Sequence, residues 1–317
     1  MANYSNRQTF QMNILFSSDD NYARHLGVAM ISILQHSRDV NKIRFYVINN
    51  HISHNNVEKL KLLVGEYRNV EIVFIPFGSI KKQLCLNLSW PISLSSYARL
   101  FVGEVLPIEV ERVLYLDCDV VVNGPLFDLW NTDLHGKCIG AIQDTIPSRT
   151  KAAVGLSSKQ PYFNAGVLLI DLKQWRQDSI GKKCLNFIDS YSGRVTHHDQ
   201  GVLNGVLKGQ WKRLPLKYNV MTVHYMMSQS KMRRYYKDEA PYYDDLEINE
   251  SIKKPIIIHF TPSFTCRPWE DNCCHPLRDC YSRFLAISPW SDFPLMRDNT
   301  PWYVRLINWR YRFFPVL

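Results

Sequence analysis

Runs of strand length alternate with helical patterns through the first half of this chain, and that alternation admits few folds. Residues 12–16, 43–48 and 70–75 read as buried strands. Between them, residues 22–36 carry Leu26, Met30, Ile33 and Leu34 at helical spacing, and residues 57–67 place Leu60 and Val64 on one face. Residues 95–106 are expected to be helical, capped by Ser95 or Ser96. Strands joined in this way by helices build a sheet with helices packed on its faces. The expected class is α/β with a mixed, mostly parallel central sheet.

The next strand carries the chemistry. Arg112-Val113-Leu114-Tyr115-Leu116 is apolar enough to be buried, and it ends in Asp117-Cys118-Asp119. Asn123-Gly124-Pro125 stops the extended stretch that follows. Ligands of open α/β sheets sit beyond the carboxyl ends of strands, where both acids fall. Two hard oxygen donors on a rigid strand end suit Mg2+ or Mn2+, and such an ion can hold a diphosphate. Asp-x-Asp alone is a short signal, and an ordinary pair of loop carboxylates would look the same.

Downstream the pattern is mixed. Residues 138–142, 167–170 and 255–260 read as short apolar strands, and residues 180–191 and 201–208 as helices. Residues 222–249 are rich in Tyr, Met and charge and show no assignable period. No repeat or low-complexity linker divides the chain. One domain over residues 12–290, followed by a tail over 291–317, is the simplest organisation.

Several further positions suit a polar cleft. The first strand runs into Ser17-Ser18-Asp19-Asp20-Asn21-Tyr22, which is no glycine-rich phosphate loop and argues against a dinucleotide or Walker-type site. A carboxylate beside Asn21 and Tyr22 suits a base instead, accepting from a ring N–H while the phenol stacks. Capping of the next helix by Asp19 or Asp20 would explain the same acids. In Tyr162-Phe163-Asn164-Ala165-Gly166, small residues let a ligand approach the backbone, and Asn164 offers both donors and an acceptor. Asp199 and Gln200 open a helix after His198, where capping again competes as the reason for Asp199. His259 ends the run Ile256-Ile257-Ile258, and a neutral imidazole is a competent Mn2+ ligand. Arg267, in Arg267-Pro268-Trp269, is a natural partner for a leaving diphosphate.

Taken in order, Asp-Asp-Asn-Tyr, Ser-Tyr-Ala-Arg, Tyr-Leu-Asp-Cys-Asp, Phe-Asn-Ala-Gly-Val, His-Asp-Gln and His-…-Arg-Pro-Trp resemble the family-8 retaining glycosyltransferases. The resemblance covers about residues 12–290 and is strongest to the bacterial lipopolysaccharide galactosyl- and glucosyltransferases. It implies a GT-A, Rossmann-like nucleotide-sugar fold, a UDP-galactose or UDP-glucose donor, and Mn2+ or Mg2+. It implies Asp117, Asp119 and His259 as metal ligands. It sets Asp19, Asn21 and Tyr22 around the uridine, with Ser17 and Cys118 in the same nucleotide site. Arg99, Asp144 and Asn164 match positions near the donor sugar and its phosphates. Asp199 and Gln200 match the pair on the sugar's reacting face, and Arg267 stands where relatives carry a lysine that touches the diphosphate. Two features depart from the pattern. His259-Phe260-Thr261-Pro262 replaces the family's His-x-x-Gly loop, and the loop to Arg267 is longer than in short-loop relatives.

The reaction this implies is transfer of galactose or glucose to a saccharide acceptor, lipopolysaccharide core or a related surface glycan, with retention. Gln200 is expected to stabilise an oxocarbenium-like centre during front-face attack, with Asp199 the nucleophile of the covalent alternative. A self-glycosylating enzyme like glycogenin would share the same donor site. The formal charge of +9 implies an anionic partner, but no RNP-type or helix-turn-helix context surrounds the basic residues, so nucleic acid is not expected. Residues 301–317 hold three arginines and no acid, interleaved with Trp302, Tyr303, Trp309, Tyr311, Phe313 and Phe314. That mixture suits an anionic membrane surface holding a lipid-linked acceptor, although a tail packing its aromatics on the domain would read alike.

No apolar run approaches the ~20 residues of a membrane span, and the N-terminus lacks the apolar core of a signal peptide. The expected location is cytoplasmic, peripheral on the inner face of the membrane. In that setting the eight cysteines read as free thiols. Cys85, Cys118, Cys138 and Cys184 look like small core residues. Cys266, Cys273, Cys274 and Cys280 cluster near His259 and His275, without the paired spacing of a zinc ribbon.

Overall fold

The structure is a computed structural model, and it describes residues 11–37, 40–78, 97–262, 264–298, 302, 305 and 306. Its strands are β1 (Gln11–Asp19), β2 (Lys42–Asn50), β3 (Val70–Pro76), β4 (Arg112–Leu116), β5 (Val120–Val122), β6 (Ile139–Asp144), β7 (Tyr162–Asp171), β8 (Lys212–Arg213), β9 (Val220–Met221) and β10 (Ile257–His259). The main sheet has the order β3-β2-β1-β4-β7-β6-β8, and a smaller one the order β5-β10-β9. β1 pairs in parallel with β2 and β4, β2 with β3, and β6 with β8. β7 alone in the main sheet is antiparallel, to both β4 and β6. The sheet is thus mixed and mostly parallel, as expected.

Both faces of the sheet are covered at its central strands, which is why these are continuous apolar runs rather than alternating ones. Ile14, Phe16, Phe45, Val47, Leu114 and Leu116 point into one core with helix α1 (Ala23–Gln35). Leu15, Tyr46, Ile48, Val113 and Tyr115 point into the other, with Leu100, Phe101 and Trp175. α1 is buried on nearly every side, because β5 and the C-terminal segment cover the face that the sheet leaves free. Ser32 Oγ accepts the β5 amide of Val122 at 2.9 Å. Trp290 lies on Gly27 so closely that a Cβ there would come within 2.4 Å of the indole. Its Nε1 donates to Asn56 on helix α2 (His54–Gly65) at 3.0 Å, and the chain beyond it packs on as well, with Met296 N donating to Trp269 O at 2.8 Å.

Two irregularities position the chemistry. Between β6 and β7 the register shifts, with Ala141 opposite Leu168 but Ile142 opposite Asn164. Ala165, Gly166 and Val167 therefore bulge away from β6, and Gly166 turns its carbonyl to the amide of Asp117 at 2.8 Å. The expected strand over 167–170 is longer than the sequence suggests, and Asn164-Ala165-Gly166 lies inside it rather than before it. The second device is the small sheet, where β10 pairs antiparallel with β5 so that His259 falls opposite Val120. That register delivers the imidazole to the strand end carrying Asp119.

Other expectations need correction. Residues 95 and 96 lie outside the described residues, and the rest of the expected 95–106 helix is a 3-10 turn, Ala98–Phe101, running into Val102–Val105. All four residues of that turn are buried, Arg99 included, so tertiary packing sets it rather than an amphipathic period. The helix expected over 201–208 starts at His198 and ends at Leu207. The unassigned stretch 222–249 divides into Thr222–Met226, Gln229–Tyr236 and the start of Asp245–Lys253, the last capped by Asp244 accepting from Glu247 N at 2.8 Å. Pieces this short blur any period. Cys118, Cys138 and Cys184 are buried as expected, and Cys85 lies outside the described residues.

Candidate active site

Asp117 leaves the end of β4 and is fixed from two sides. Arg99 Nη2 donates to its Oδ1 at 2.7 Å, and Tyr115 OH donates to the same oxygen at 2.9 Å. Asp119 lies 3.1 Å, through Oδ1, from His259 Nε2, and its Oδ2 is paired with Arg267 Nη1. Arg267 Nη1 also donates to the carbonyl of Phe260 at 2.7 Å, so the longer loop folds back into the cleft. Burial alone would raise the Asp119 carboxyl, but His259 and Arg267 outweigh it and hold the group well below the usual carboxylate range. Burial opposes charge on His259, and Asp119 overrides it and raises the imidazole.

One ligand atom from each of Asp117, Asp119 and His259 lies within 4.8 Å of the others. No other group of three His, Cys, Asp or Glu side chains converges this way among the described residues, the cysteine cluster included. Two carboxylates and an imidazole are a donor set for Mn2+ or Mg2+. Gly166 supplies the room. A Cβ there would sit 2.3 Å from His259 Cε1 and 2.7 Å from Asp117 Oδ2, so only glycine lets both donors face one point. The residues fit a divalent cation.

Arg99 joins this group to a second polar cluster. Its Nε lies 2.8 Å from Asp199 Oδ2, its Nη1 donates to Ala165 O at 2.5 Å, and its guanidinium lies 4.4 Å over the Tyr115 ring. Burial would lower Arg99, yet the flanking Asp117 and Asp199 carboxylates dominate and keep it charged. Gln200 Nε2 donates to Asp144 Oδ2 at 3.1 Å, and its Oε1 accepts the Ala165 amide at 3.0 Å. Asn164 Nδ2 reaches the same Asp144 oxygen at 3.3 Å. Burial pushes both Asp144 and Asp199 upward from ordinary carboxylate values.

The turn that presents Asp199 and Gln200 is tight. His197 and His198 have φ of 61° and 50°, in the left-handed region that non-glycine residues seldom adopt. Gly201 completes it, since a Cβ there would stand 1.9 Å from the carbonyl oxygen of Thr196. Asp199 lies in the first helical turn, but its carboxylate is spent on Arg99.

Asp117, Asp119, Arg99, Arg267, Tyr115, Cys118, Ser17, Asp19 and Tyr22 line a cleft of about 360 Å³. Cys118 Sγ donates to Ser17 O at 3.4 Å, which ties β1 to the acidic turn. Asp19 also caps, accepting from Tyr22 N at 3.2 Å, and Asp20 accepts from Ser53 N and Asn56 Nδ2 at the start of α2. Asn21 is placed differently from Asp19: it lines an adjoining groove of about 900 Å³ on the far side of Tyr22 and Arg267. Three residues without any local signal belong to the site. Tyr115 reads as core, Asn204 brackets the backbone of Phe163 from the next helical turn, and Asn219 lies in an apolar stretch.

A strand-end acidic pair over a mixed α/β sheet, with a polar cluster beside it, suits a ligand that carries both phosphate and hydroxyl groups. Residues 13–273 match the family model described as Glycosyl transferase family 8, and the chain belongs to that family. It is 31% identical to the lipopolysaccharide 1,2-glucosyltransferase of Escherichia coli K12, over 89% of this chain and 79% of that protein. It is 29% identical to general stress protein A of Bacillus subtilis, over 88% of this chain and 95% of that one. Among solved structures, the galactosyltransferase LgtC in complex with donor and acceptor sugar analogues superposes with a TM-score of 0.69. That match has 29% identity and covers 88% of this chain and 96% of LgtC. The fold is therefore GT-A, and the chain is a family-8 glycosyltransferase.

Proposed function

We propose that the chain transfers galactose or glucose from a UDP-sugar to a saccharide acceptor with retention of configuration. The observation that carries this reading is Arg99, one buried side chain that spans from Asp117 to Asp199. It joins a cation-binding group to a cluster of hydrogen-bonding side chains suited to a sugar, and a UDP-sugar has its diphosphate and hexose in that order. The donor's uracil would lie by Asp19 and Tyr22, with Asn21 turned to the adjoining groove. Asp117, Asp119 and His259 would hold Mn2+, which supplies a Lewis acid for the charge developing on the leaving diphosphate. Arg267, once off Asp119, would donate to the same phosphates.

Asp199 is held by Arg99 and buried, which disfavours it as a free nucleophile. Gln200 has its amide oriented by Asp144 and the Ala165 amide, so its role is to stabilise positive charge at the reacting carbon during front-face attack. The names of the relatives, a lipopolysaccharide glucosyltransferase and a galactosyltransferase, support a bacterial surface glycan as acceptor. A panel of UDP-sugars with Mn2+ and no acceptor tests the reading through UDP release. Slow hydrolysis of UDP-galactose or UDP-glucose is expected, and no release from any UDP-sugar, with or without saccharide, would reject it.

The basic tail is proposed to hold the enzyme on an anionic membrane surface. No helix among the described residues is long and apolar enough to cross a membrane. Most of the tail lies outside the described residues, but Trp302 and Leu306 are exposed, and Arg305 Nε lies 3.3 Å from Asp298. Each basic residue near anionic lipid contributes about 1 kcal/mol. Deleting residues 301–317 is expected to release the protein from phosphatidylserine vesicles in a sedimentation assay while donor hydrolysis survives. Loss of UDP binding in the shortened chain would show instead that the tail belongs to the core.

A further inference from the structure

Asn219 sits between the one-turn segment Leu216–Tyr218 and β9, and it is fully buried. Its amide bridges the two halves of the site. Nδ2 donates to Asn164 Oδ1 at 2.9 Å, and Oδ1 lies 2.9 Å from His259 Nδ1. The backbone fixes the direction of this relay. The Gly166 amide donates to Asn164 Oδ1 at 2.9 Å, so that atom is an acceptor, while Asn164 Nδ2 faces the Asp144 carboxylate. Only the amide nitrogen of Asn219 can meet Asn164 Oδ1 without repulsion. The Asn219 oxygen is thereby turned to the imidazole, and His259 Nδ1 must carry a hydrogen. Nε2 donates to Asp119 in this arrangement; where a cation takes the place of that proton, an imidazole held as Nδ1–H has its lone pair on Nε2.

We propose that Asn219 is a positioning residue that holds His259 in the Nδ1–H form, so that Nε2 is presented to a divalent cation, and that the same amide anchors Asn164 on the sugar side. The proposal rests on the cation reading of Asp117, Asp119 and His259. It means that one buried amide couples the cation end of the site to the sugar end. The partner of a ligating histidine typically accounts for about tenfold to a hundredfold in metal affinity.

The test is Mn2+ binding by the whole protein, followed by the EPR signal of the free ion and without any substrate. Asn219→Leu removes both hydrogen bonds and is expected to weaken Mn2+ binding about tenfold to a hundredfold. Asn219→Asp keeps an oxygen for His259 Nδ1–H but loses the donor to Asn164. It is expected to retain Mn2+ affinity within about threefold, a rescue set against the tenfold-or-more loss above, while turnover falls. Equal Mn2+ affinity in the leucine variant and the wild type overturns the role of Asn219. So does an aspartate variant that fails to rescue. A wild-type protein that takes up no Mn2+ overturns the cation reading instead, so the two failures are distinct. Should the leucine variant not fold, long-range 1H–15N spectra of the wild type with Mg2+ and UDP decide. Nδ1 of His259 is expected to be protonated and Nε2 bare, and the reverse tautomer overturns the proposal.

Discussion

Asp119→Asn is expected to lower sugar transfer roughly a thousandfold, about 4 kcal/mol of transition-state stabilisation, while the chain stays folded. The size follows from what the carboxylate does. It is the strand-end acid that faces both His259 Nε2 and Arg267, at the focus of the three converging donors. Asparagine keeps the volume and one oxygen, so packing on β4 and β10 is preserved, but it cannot neutralise a dication. Asp117→Asn should behave alike, since Asp117 shares the same focus. Transfer measured with Mn2+, and again in excess chelator, checks the expectation. Full activity in either variant, or with the ion removed, would sink the metal-dependent reading.

Arg99→Leu is expected to be the most destabilising single change in the site. The guanidinium is 7% exposed and neutralises Asp117 and Asp199 together while capping the Ala165 carbonyl. Removing one partner of a buried ion pair costs about 3–5 kcal/mol because the other charge is left uncompensated. For a chain of this size that is a drop of roughly 5–8 °C in melting temperature. Arg99→Lys keeps the charge but not the planar fork, and should recover only part of the loss. Adding Asp199→Asn to the leucine variant removes one stranded carboxylate and should restore some stability, the non-additivity expected of neighbours. A melting temperature unchanged by Arg99→Leu would mean that both carboxylates are solvated.

The legible parts of this fold were those buried on both faces. β1, β2 and β4 announced themselves because strands covered on each side demand unbroken apolar runs, and the acids at the end of β4 stood out against them. His259 and Gln200 stood at a strand end and a helix start, whereas Arg99 and Asp144 came only from the family motifs. The rest depends on geometry that sequence does not carry. The bulge at Ala165, Gly166 and Val167 is a register choice between two strands, and Asn164 had seemed to precede the strand it belongs to. Tyr115 reads as one more core aromatic until its hydroxyl is seen on Asp117. Asn219 occupies an apolar stretch some forty residues from His259, and only the pairing of β9 with β10 brings them together. Asn21, adjacent to Tyr22 in sequence, lines the neighbouring groove instead of the acidic cleft because the chain turns through a 3-10 segment there.

Arg267 gives the cleft its own counter-ion. Its guanidinium rests on Asp119, which His259 also faces, so the protein itself supplies positive charge to the acid end of the site. A cation arriving there enters by exchange, displacing a positive charge rather than filling a bare negative one. The displaced charge is not lost to solvent, because the loop that carries Arg267 is anchored by the buried Trp269, which stacks on His25 and packs on Tyr281. It remains beside whatever anion accompanies the cation. A cation bound there would redistribute charge within the protein instead of accumulating it.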